Sequence, residues 1–489
     1  MAEVLLLSPT YRDLYGTMDI ELLELGQAPL GLAYVGGYLK ANGVDVRLRD
    51  LEFDPDLATI GIEGILRKEN PRVVGISATT PQMRAALQIA KACRAVDPKI
   101  QVIMGGPHAS ALPEETAAYP EVDAVCYGEG EETLLQYVKA GGPRKDIKGL
   151  VYQDDGGATV RTAERDVFDD INDLPHPLYE DLPVQKYGMA HRGHSMQILT
   201  GRGCPYTCSF CASLVVRGRA YRTRNAASVV KEIQRWQSLY KTTHFDFLEE
   251  TFSTYKKRVI ELCQGIVDSG VKVDWTTSSR ADRIDHEILT AMKAAGCTEI
   301  AIGVESGNEQ ILAKAAKGVK LPEIRQAFKM IKDYGINTYG YFILGLPYET
   351  EETLKDTIDF AIELDIDYAQ FSILVPLPGT EVWHLAQEGK VMKNLATDWG
   401  EYNFYNDPIL VSESITGDML KKYYRDAYRR YYLRPRFLLR QVGRLLRPGG
   451  IHYYSTRGRA FLSLLRNTRK AGSAPKAVPQ SLYSQQIAS

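Results

Sequence analysis

Short apolar runs rich in β-branched residues alternate with helical stretches along the first 140 residues, and this alternation restricts the fold more than any other feature. The runs are Val4–Ser8, Val44–Leu48, Val73–Ser77, Val102–Met104 and Ala124–Tyr127, separated by helical stretches such as Leu30–Asn42 and Gln82–Ala95. Parallel neighbours need helical crossovers, so five such repeats predict an α/β unit over residues 1–145 built on a doubly wound parallel sheet. Ligands of such sheets sit at the carboxyl ends of the strands. The candidate binding residues are therefore Thr10, Ser77, Thr79, Thr80, Gly105, Gly106, Pro107, His108, Gly128, Glu129 and Gly130. Most are small or polar, and the glycines let a bulky ligand approach the backbone closely. A dinucleotide site is not expected: the first strand runs into Ser8-Pro9-Thr10-Tyr11, without the G-x-G-x-x-G cradle.

Residues 146–194 read as a hairpin around Asp154–Gly157 followed by a proline-rich linker carrying Pro175, Pro177 and Pro183. A second β/α series occupies residues 195–385. Its strand candidates are Met196–Gly201, His244–Leu248, Val273–Ser278, Glu299–Val304, Thr338–Leu344 and Tyr368–Val375. Six units are too few for a closed eight-stranded barrel and predict a partial (β/α)6 barrel.

Directly after the first strand of this series comes Cys204-Pro-Tyr-Thr-Cys208-Ser-Phe-Cys211, a C-x3-C-x2-C run holding three of the seven cysteines. Three thiolates on one loop are a soft ligand set suited to an iron–sulfur cluster or zinc. Structural zinc normally takes four protein ligands, and no fourth cysteine lies nearby in sequence. Three ligands leave one iron of a four-iron cluster open. Cys263 and Cys297 fall in helical patterns and read as buried apolar residues.

This motif, with the aromatic Phe210 before its third cysteine and a six-unit barrel behind it, resembles the radical S-adenosylmethionine (SAM) enzymes over roughly Met196 to Thr380. The resemblance implies a 4Fe-4S cluster on Cys204, Cys208 and Cys211, whose open iron chelates SAM. One electron then splits SAM into methionine and a 5′-deoxyadenosyl radical. It also implies an external electron donor such as flavodoxin or ferredoxin. Glu249 and Glu250 stand where the family binds the SAM ammonium, and either one fits. Ser278 would meet the ribose. Arg280 would meet the SAM carboxylate or form an ion pair with Asp282. Glu305, in Gly303-Val304-Glu305-Ser306-Gly307, adds a carboxylate at the barrel mouth. The segments Gly345-Leu346-Pro347 and Pro376–Thr380 are expected as rim loops near adenine, with Tyr339 and Tyr341 on the inner face of the fifth strand.

A doubly wound domain ahead of such a barrel resembles the cobalamin-dependent (class B) branch of that family. Its strand ends would surround the corrin. The D-x-H-x-x-G motif of other cobalamin domains is missing, since the second strand leads into Asp50-Leu51-Glu52-Phe53. The expectation is cobalamin without a protein histidine on cobalt, with His108 at the corrin edge or in solvent. The implied activity is C-methylation of an unactivated carbon on an apolar small molecule such as a lipid. The layout also resembles the anaerobic magnesium-protoporphyrin monomethyl ester cyclases, so oxidative cyclisation of a tetrapyrrole is the alternative. A corrinoid or iron–sulfur carrier is the alternative outside catalysis.

Charge sets the C-terminal part apart. The chain of 489 residues carries a net charge of −2, yet residues 421–470 hold 15 Lys and Arg against Asp426 alone, a net of +14. The remainder carries −16. Arginines interleaved with tyrosines and leucines predict a basic helical region over 386–470, broken at Pro435. Such a segment suits either an anionic membrane surface or packing on the acidic remainder. No nucleic-acid module accompanies the charge, so no nucleic-acid partner is expected. Residues 471–489, rich in Ser, Gln, Pro and Ala, read as disordered. No apolar run reaches the roughly 18 residues of a membrane span, and Met1-Ala2-Glu3 lacks the basic start of a secretory signal. With an odd number of cysteines, these features point to a cytoplasmic protein, peripheral to the membrane at most.

Overall fold

The computed structural model describes residues 2–11, 27–188, 195–402 and 407–445. The expected disordered tail and the basic stretch past 445 lie outside the described residues.

The N-terminal sheet contains β1 (Val4–Ser8), β2 (Val46–Asp50), β3 (Val73–Ser77), β4 (Gln101–Gly105), β5 (Ala124–Cys126), β6 (Leu150–Gln153) and β7 (Thr159–Arg161), in the order β2-β1-β3-β4-β5-β6-β7. The first five are parallel, and helices such as Leu30–Ala41, Pro55–Glu69 and Met83–Val96 cross between them. Local sequence starts these helices: before Pro55–Glu69, the Asp54 carboxylate caps the Asp56 N–H and Pro55 takes the first turn. The hairpin β6–β7 is hydrogen-bonded antiparallel to β5. It therefore extends the first sheet, and the connector proper begins after it.

The second sheet follows a short ribbon. Strand β8 (Met196–Leu199) is followed by β9 (Gly201–Arg202), which pairs antiparallel with β10 (Arg222–Thr223) and closes the base of the cysteine loop. Then come β11 (His244–Leu248), β12 (Asp274–Ser279), β13 (Cys297–Glu305), β14 (Asn337–Leu344) and β15 (Tyr368–Ile373). The six long strands lie in chain order, all parallel, as β8-β11-β12-β13-β14-β15. This is the open barrel. A small ribbon of β16 (Lys393–Asn394) and β17 (Leu410–Val411) follows.

An open barrel has two free edges, and each is closed by side chains. On β15, the Tyr428 hydroxyl bonds both the N–H (3.3 Å) and the carbonyl (3.2 Å) of Phe371. Tyr432 treats Ala369 the same way, at 3.1 and 2.8 Å. Both tyrosines sit on the helix Gly417–Tyr432. Four helical residues rise about 6.0 Å, and two strand residues about 6.6 Å, so the i, i+4 hydroxyls keep step with alternate outward-facing peptide groups. At the other edge, the Tyr179 hydroxyl donates to the Gln197 carbonyl on β8 at 2.8 Å. Among the described residues, several arginines of the C-terminal part are engaged: Arg434 and Arg440 each reach Asp365 at 2.7 Å, and Arg430 pairs with Asp359. The helix Pro435–Leu445 nevertheless keeps Leu438, Leu439 and Val442 exposed. No helix among the described residues is long and apolar enough to cross a membrane.

Candidate active site

The carboxyl ends of both sheets open onto one cavity of about 920 Å³. The first sheet contributes Ser77, Thr79, Thr80, Gly105, Gly106, Pro107, Gly128, Glu129 and Gly130 to its wall, as the strand-end rule anticipates. Gly128 (φ +76°) faces open space, with nothing within 4 Å of where a Cβ would stand. Gly106 is constrained instead: at φ +90° a Cβ would meet the Ser77 Oγ at 2.6 Å.

Two of the expected residues stand behind the wall. Thr10 is buried and donates from its Oγ1 to Glu52 Oε2 at 2.7 Å, so the wall residue is Glu52. His108 is 1% exposed and packs edge-on against Trp399 with ring centroids 4.8 Å apart, its Nδ1 3.2 Å from Thr80. Burial lowers its pKa to about 4, so it stays neutral. It meets neither the cavity nor solvent, because the post-barrel segment folds back over it. Among the described lining residues there is no histidine. Asp50 does line the cavity. Burial raises its carboxyl to about 6 despite a 2.7 Å hydrogen bond from Tyr187.

Ion pairs tie the two sheets together at the cavity's side. Glu131 accepts from Arg202 at 2.6 Å, and Glu129 accepts from two nitrogens of Arg222 at 2.8 and 3.0 Å. Burial alone would raise the Glu129 carboxyl, but Arg222 and Arg202 hold it below the ordinary carboxylate range. Glu129 thus joins the domains through its side chain. Neither arginine was signalled by sequence, since each acts on a carboxylate far away along the chain.

The cysteine loop is braced from several directions. Gly203, at φ +89°, must be glycine, since a Cβ would sit 2.2 Å from the Ala220 carbonyl oxygen. The Ser209 N–H donates to the Ala315 carbonyl at 3.1 Å. Tyr206 lies under the Arg280 guanidinium, 3.8 Å from ring centroid to Cζ, and its hydroxyl accepts from Arg283 at 2.8 Å. Phe210 packs against the apolar group containing Ile311, Leu346 and Val382. Cys204, Cys208 and Cys211 are free and partly exposed. Burial raises the Cys204 and Cys208 thiols, and the positive Lys317 and Arg280 oppose the rise at Cys208. Among the described residues no three His, Cys, Asp or Glu side chains form a group that could hold a single metal ion. Thiolates serving a four-iron cluster need no common ion, because each binds a different iron.

The remaining barrel residues separate by role. Glu249 lines the cavity, paired with Arg258 at 2.8 Å and accepting from the Tyr221 hydroxyl at 3.2 Å. Burial outweighs Arg258 and lifts its carboxyl to about 7. Glu250 stands on the cysteine side, where its charge helps raise the Cys204 thiol. Ser278 lines the cavity. Arg280 is engaged by Asp282 (3.0 Å) and the Lys317 carbonyl (2.8 Å), so the ion-pair alternative is the one observed. Glu305 is buried against Lys317 at 2.6 Å, at φ +67° where β13 bulges. Lys317, 12 positions from Glu305 along the chain, gave no sequence signal. Tyr339, Tyr341, Leu377 and Pro378 line the cavity. The Gly345–Pro347 loop does not: Leu346 is buried, and Glu349 Oε2 accepts the Gly345 and Leu346 N–H groups at 2.6 and 3.0 Å.

Comparison with known proteins agrees with this geometry. Residues 23–138 match the B12 binding domain, and residues 198–361 match the Radical SAM superfamily. The chain is 36% identical over 419 residues to an uncharacterized methyltransferase, PH0819, of Pyrococcus horikoshii, covering 85% of this chain and 90% of that protein. It is 28% identical over 422 residues to the anaerobic magnesium-protoporphyrin IX monomethyl ester cyclase of Rubrivivax gelatinosus, covering 84% and 74%. Among solved structures, the radical SAM methyltransferase TsrM from Kitasatospora setae, with cobalamin and a [4Fe-4S] cluster bound, superposes with a TM-score of 0.70 at 18% identity. That match covers 96% of this chain and 100% of that chain. The cavity shared by a B12-binding sheet and a cysteine-loop barrel, and the relatives that have the same two parts, make this chain a member of the cobalamin-binding radical SAM enzymes.

Proposed function

We propose that the protein transfers a methyl group to an unactivated carbon of a small molecule held in the shared cavity. One observation carries this: the strand ends of both domains line a single space, so a donor on the first sheet and a radical source at the barrel mouth would reach the same substrate. When bound, the cluster supplies the electron that splits SAM, and the corrinoid carries the methyl group.

The residues fit these groups. The corrinoid would rest on Ser77, Thr79, Thr80, Gly105, Gly106 and Gly128, where small side chains and the open face of Gly128 leave room. Cys204, Cys208 and Cys211 would hold the cluster. Cys126 also lines the cavity, but burial raises its thiol to about 12 and keeps it protonated. Glu250, on the cysteine side, would take the SAM ammonium, and Ser278 the ribose. The Arg202 and Arg222 ion pairs hold the two walls in register and exclude water from that side. The electron would come from an external flavodoxin or ferredoxin. Likeness to the R. gelatinosus cyclase over 84% of this chain favours one second reading, oxidative cyclisation.

Anaerobic reconstitution with iron, sulfide and cobalamin, followed by SAM carrying a deuterated methyl group, tests the proposal. Deuterated product together with 5′-deoxyadenosine is expected. Its loss in the triple variant Cys204→Ala, Cys208→Ala, Cys211→Ala is expected too. An oxidised product without the label would favour the cyclase reading, and no SAM cleavage with any substrate would leave a carrier.

A further inference from the structure

Strand register gathers a polar layer deep in the barrel. Gln197 on β8 pairs with Asp246 on β11, Asp246 with Thr276 on β12, and Thr276 with Glu299 on β13. All four line the cavity. Barrel interiors are ordinarily packed with Val, Ile and Leu, so a polar layer across four adjacent strands departs from what packing alone would select.

The cavity lining around this layer is strongly biased in charge. Among the described lining residues there are seven carboxylates and a single cation, Arg202. Arg202, Arg222 and Arg258 compensate Glu131, Glu129 and Glu249. Asp50 and Glu52 belong to the first sheet's wall, which leaves Asp246 and Glu299 in the barrel layer. Asp246, inside the barrel, accepts hydrogen bonds from two neutral hydroxyls, Ser195 at 2.5 Å and Thr276 at 2.7 Å. Neither donor cancels its charge. Beside it, Gln197 is 3% exposed and its side-chain carbonyl oxygen has no hydrogen-bond partner. A buried acceptor without a donor is destabilising, so a group that supplies the donor is favoured there.

We propose that this layer binds a protonated amine of the substrate, with Asp246 and Gln197 as its acceptors. An ammonium carries three donors and no acceptor, so one group serves the carboxylate and the orphan carbonyl together. The cavity's low dielectric strengthens its attraction to Asp246. The apolar remainder of the substrate would point toward the carboxyl ends of the barrel strands, where Val216, Leu248, Leu377 and Pro378 line the wall. The inference rests on the reading that substrate enters the shared cavity. It narrows the substrate class to amphiphiles with a basic nitrogen.

Equilibrium dialysis of the full-length, cofactor-loaded protein with phenethylamine and its neutral analogue 2-phenylethanol at pH 7 tests it. Alkylamines titrate near 10, so the amine is charged at this pH. The amine is expected to bind at least tenfold more tightly than the alcohol. Asp246→Asn should cut that ratio at least fivefold with the alcohol unaffected. Gln197→Glu, which adds a second carboxylate, should raise amine affinity severalfold, and it decides the matter if Asp246→Asn fails to fold. A ratio near one in the natural protein, or a ratio that Gln197→Glu leaves unchanged, overturns the assignment. SAM cleavage measured on the same preparation reports separately on the proposed methyl transfer, so the two can fail independently.

Discussion

Arg202 and Glu131 meet in a buried ion pair of 2.6 Å that spans the two domains, with side-chain exposures of 5% and 3%. Arg202 follows the first barrel strand, and Glu131 opens the helix Glu131–Ala140 after β5. The pair fixes the distance between the walls of the cavity.

Removing one partner strands the other. Arg202→Met leaves Glu131 buried without its cation and should cost about 3–5 kcal/mol. Thermal unfolding measures the loss, and cobalamin retained after gel filtration should fall with it. Adding Glu131→Leu to that variant should recover at least half of the stability, because an apolar pair replaces an ionic one.

The two adjacent glutamates are expected to part company on substitution. Glu250→Gln should weaken SAM binding in calorimetry by tenfold or more with little change in melting temperature. Glu249→Gln should do the reverse, because it leaves Arg258, which is 11% exposed, without its charge partner. A stability loss of about 1–3 kcal/mol is expected for that variant.

Tyrosine hydroxyls hold the β15 edge, so Tyr428→Phe and Tyr432→Phe should each cost about 1–3 kcal/mol although the rings keep their packing. The double variant should scatter light on mild heating, because an uncapped strand edge templates association.

Glu349 gives a pH signature. Burial outweighs the Gly345 and Leu346 N–H donors and raises its carboxyl from 4.5 to about 8. The folded state therefore holds this proton more tightly than the unfolded chain. That contribution is fully present below pH 4.5 and is lost as pH rises through 8. The melting temperature of the natural protein relative to Glu349→Gln should be highest at pH 4.5 and below and fall by about 2–4 °C by pH 8.5.

The helix Pro435–Leu445 tests the membrane expectation. Leu439 is 73% and Val442 54% exposed. Should this face meet lipid, Leu439→Glu with Val442→Glu lowers co-sedimentation with anionic vesicles at least fivefold without moving the melting temperature, and salt lowers it further. Equal pelleting would leave the helix its packing role on Asp365.

The parallel strands and the cysteine loop were legible because each is a local pattern: a β-branched run before a helix, three thiols within eight residues. The sheet position of the β6–β7 hairpin was not, since antiparallel pairing with β5 depends on a partner and not on the hairpin's own residues. The same limit hid Arg202, 71 positions from Glu131. Thr10 and His108 show another limit. Standing just past a strand end places a residue near the ligand face but does not say which way its side chain turns. His108 turned inward because Trp399, supplied by distant sequence, offered it a ring to pack against. Arg280 meets Asp282, two positions on, and Tyr206, 74 positions back; only the first of these was legible in the local sequence.

The hydroxyl-capped β15 edge also bears on how the basic segment can be studied. A chain shortened before Thr416 would lose Tyr428 and Tyr432 along with the arginines, and β15 would present bare peptide groups to any neighbouring molecule. Such a fragment would stick to vesicles, to columns and to itself for reasons unrelated to charge. The helix Gly417–Tyr432 works as a fastening, and only substitutions that leave the fastening closed can report what else the basic segment does.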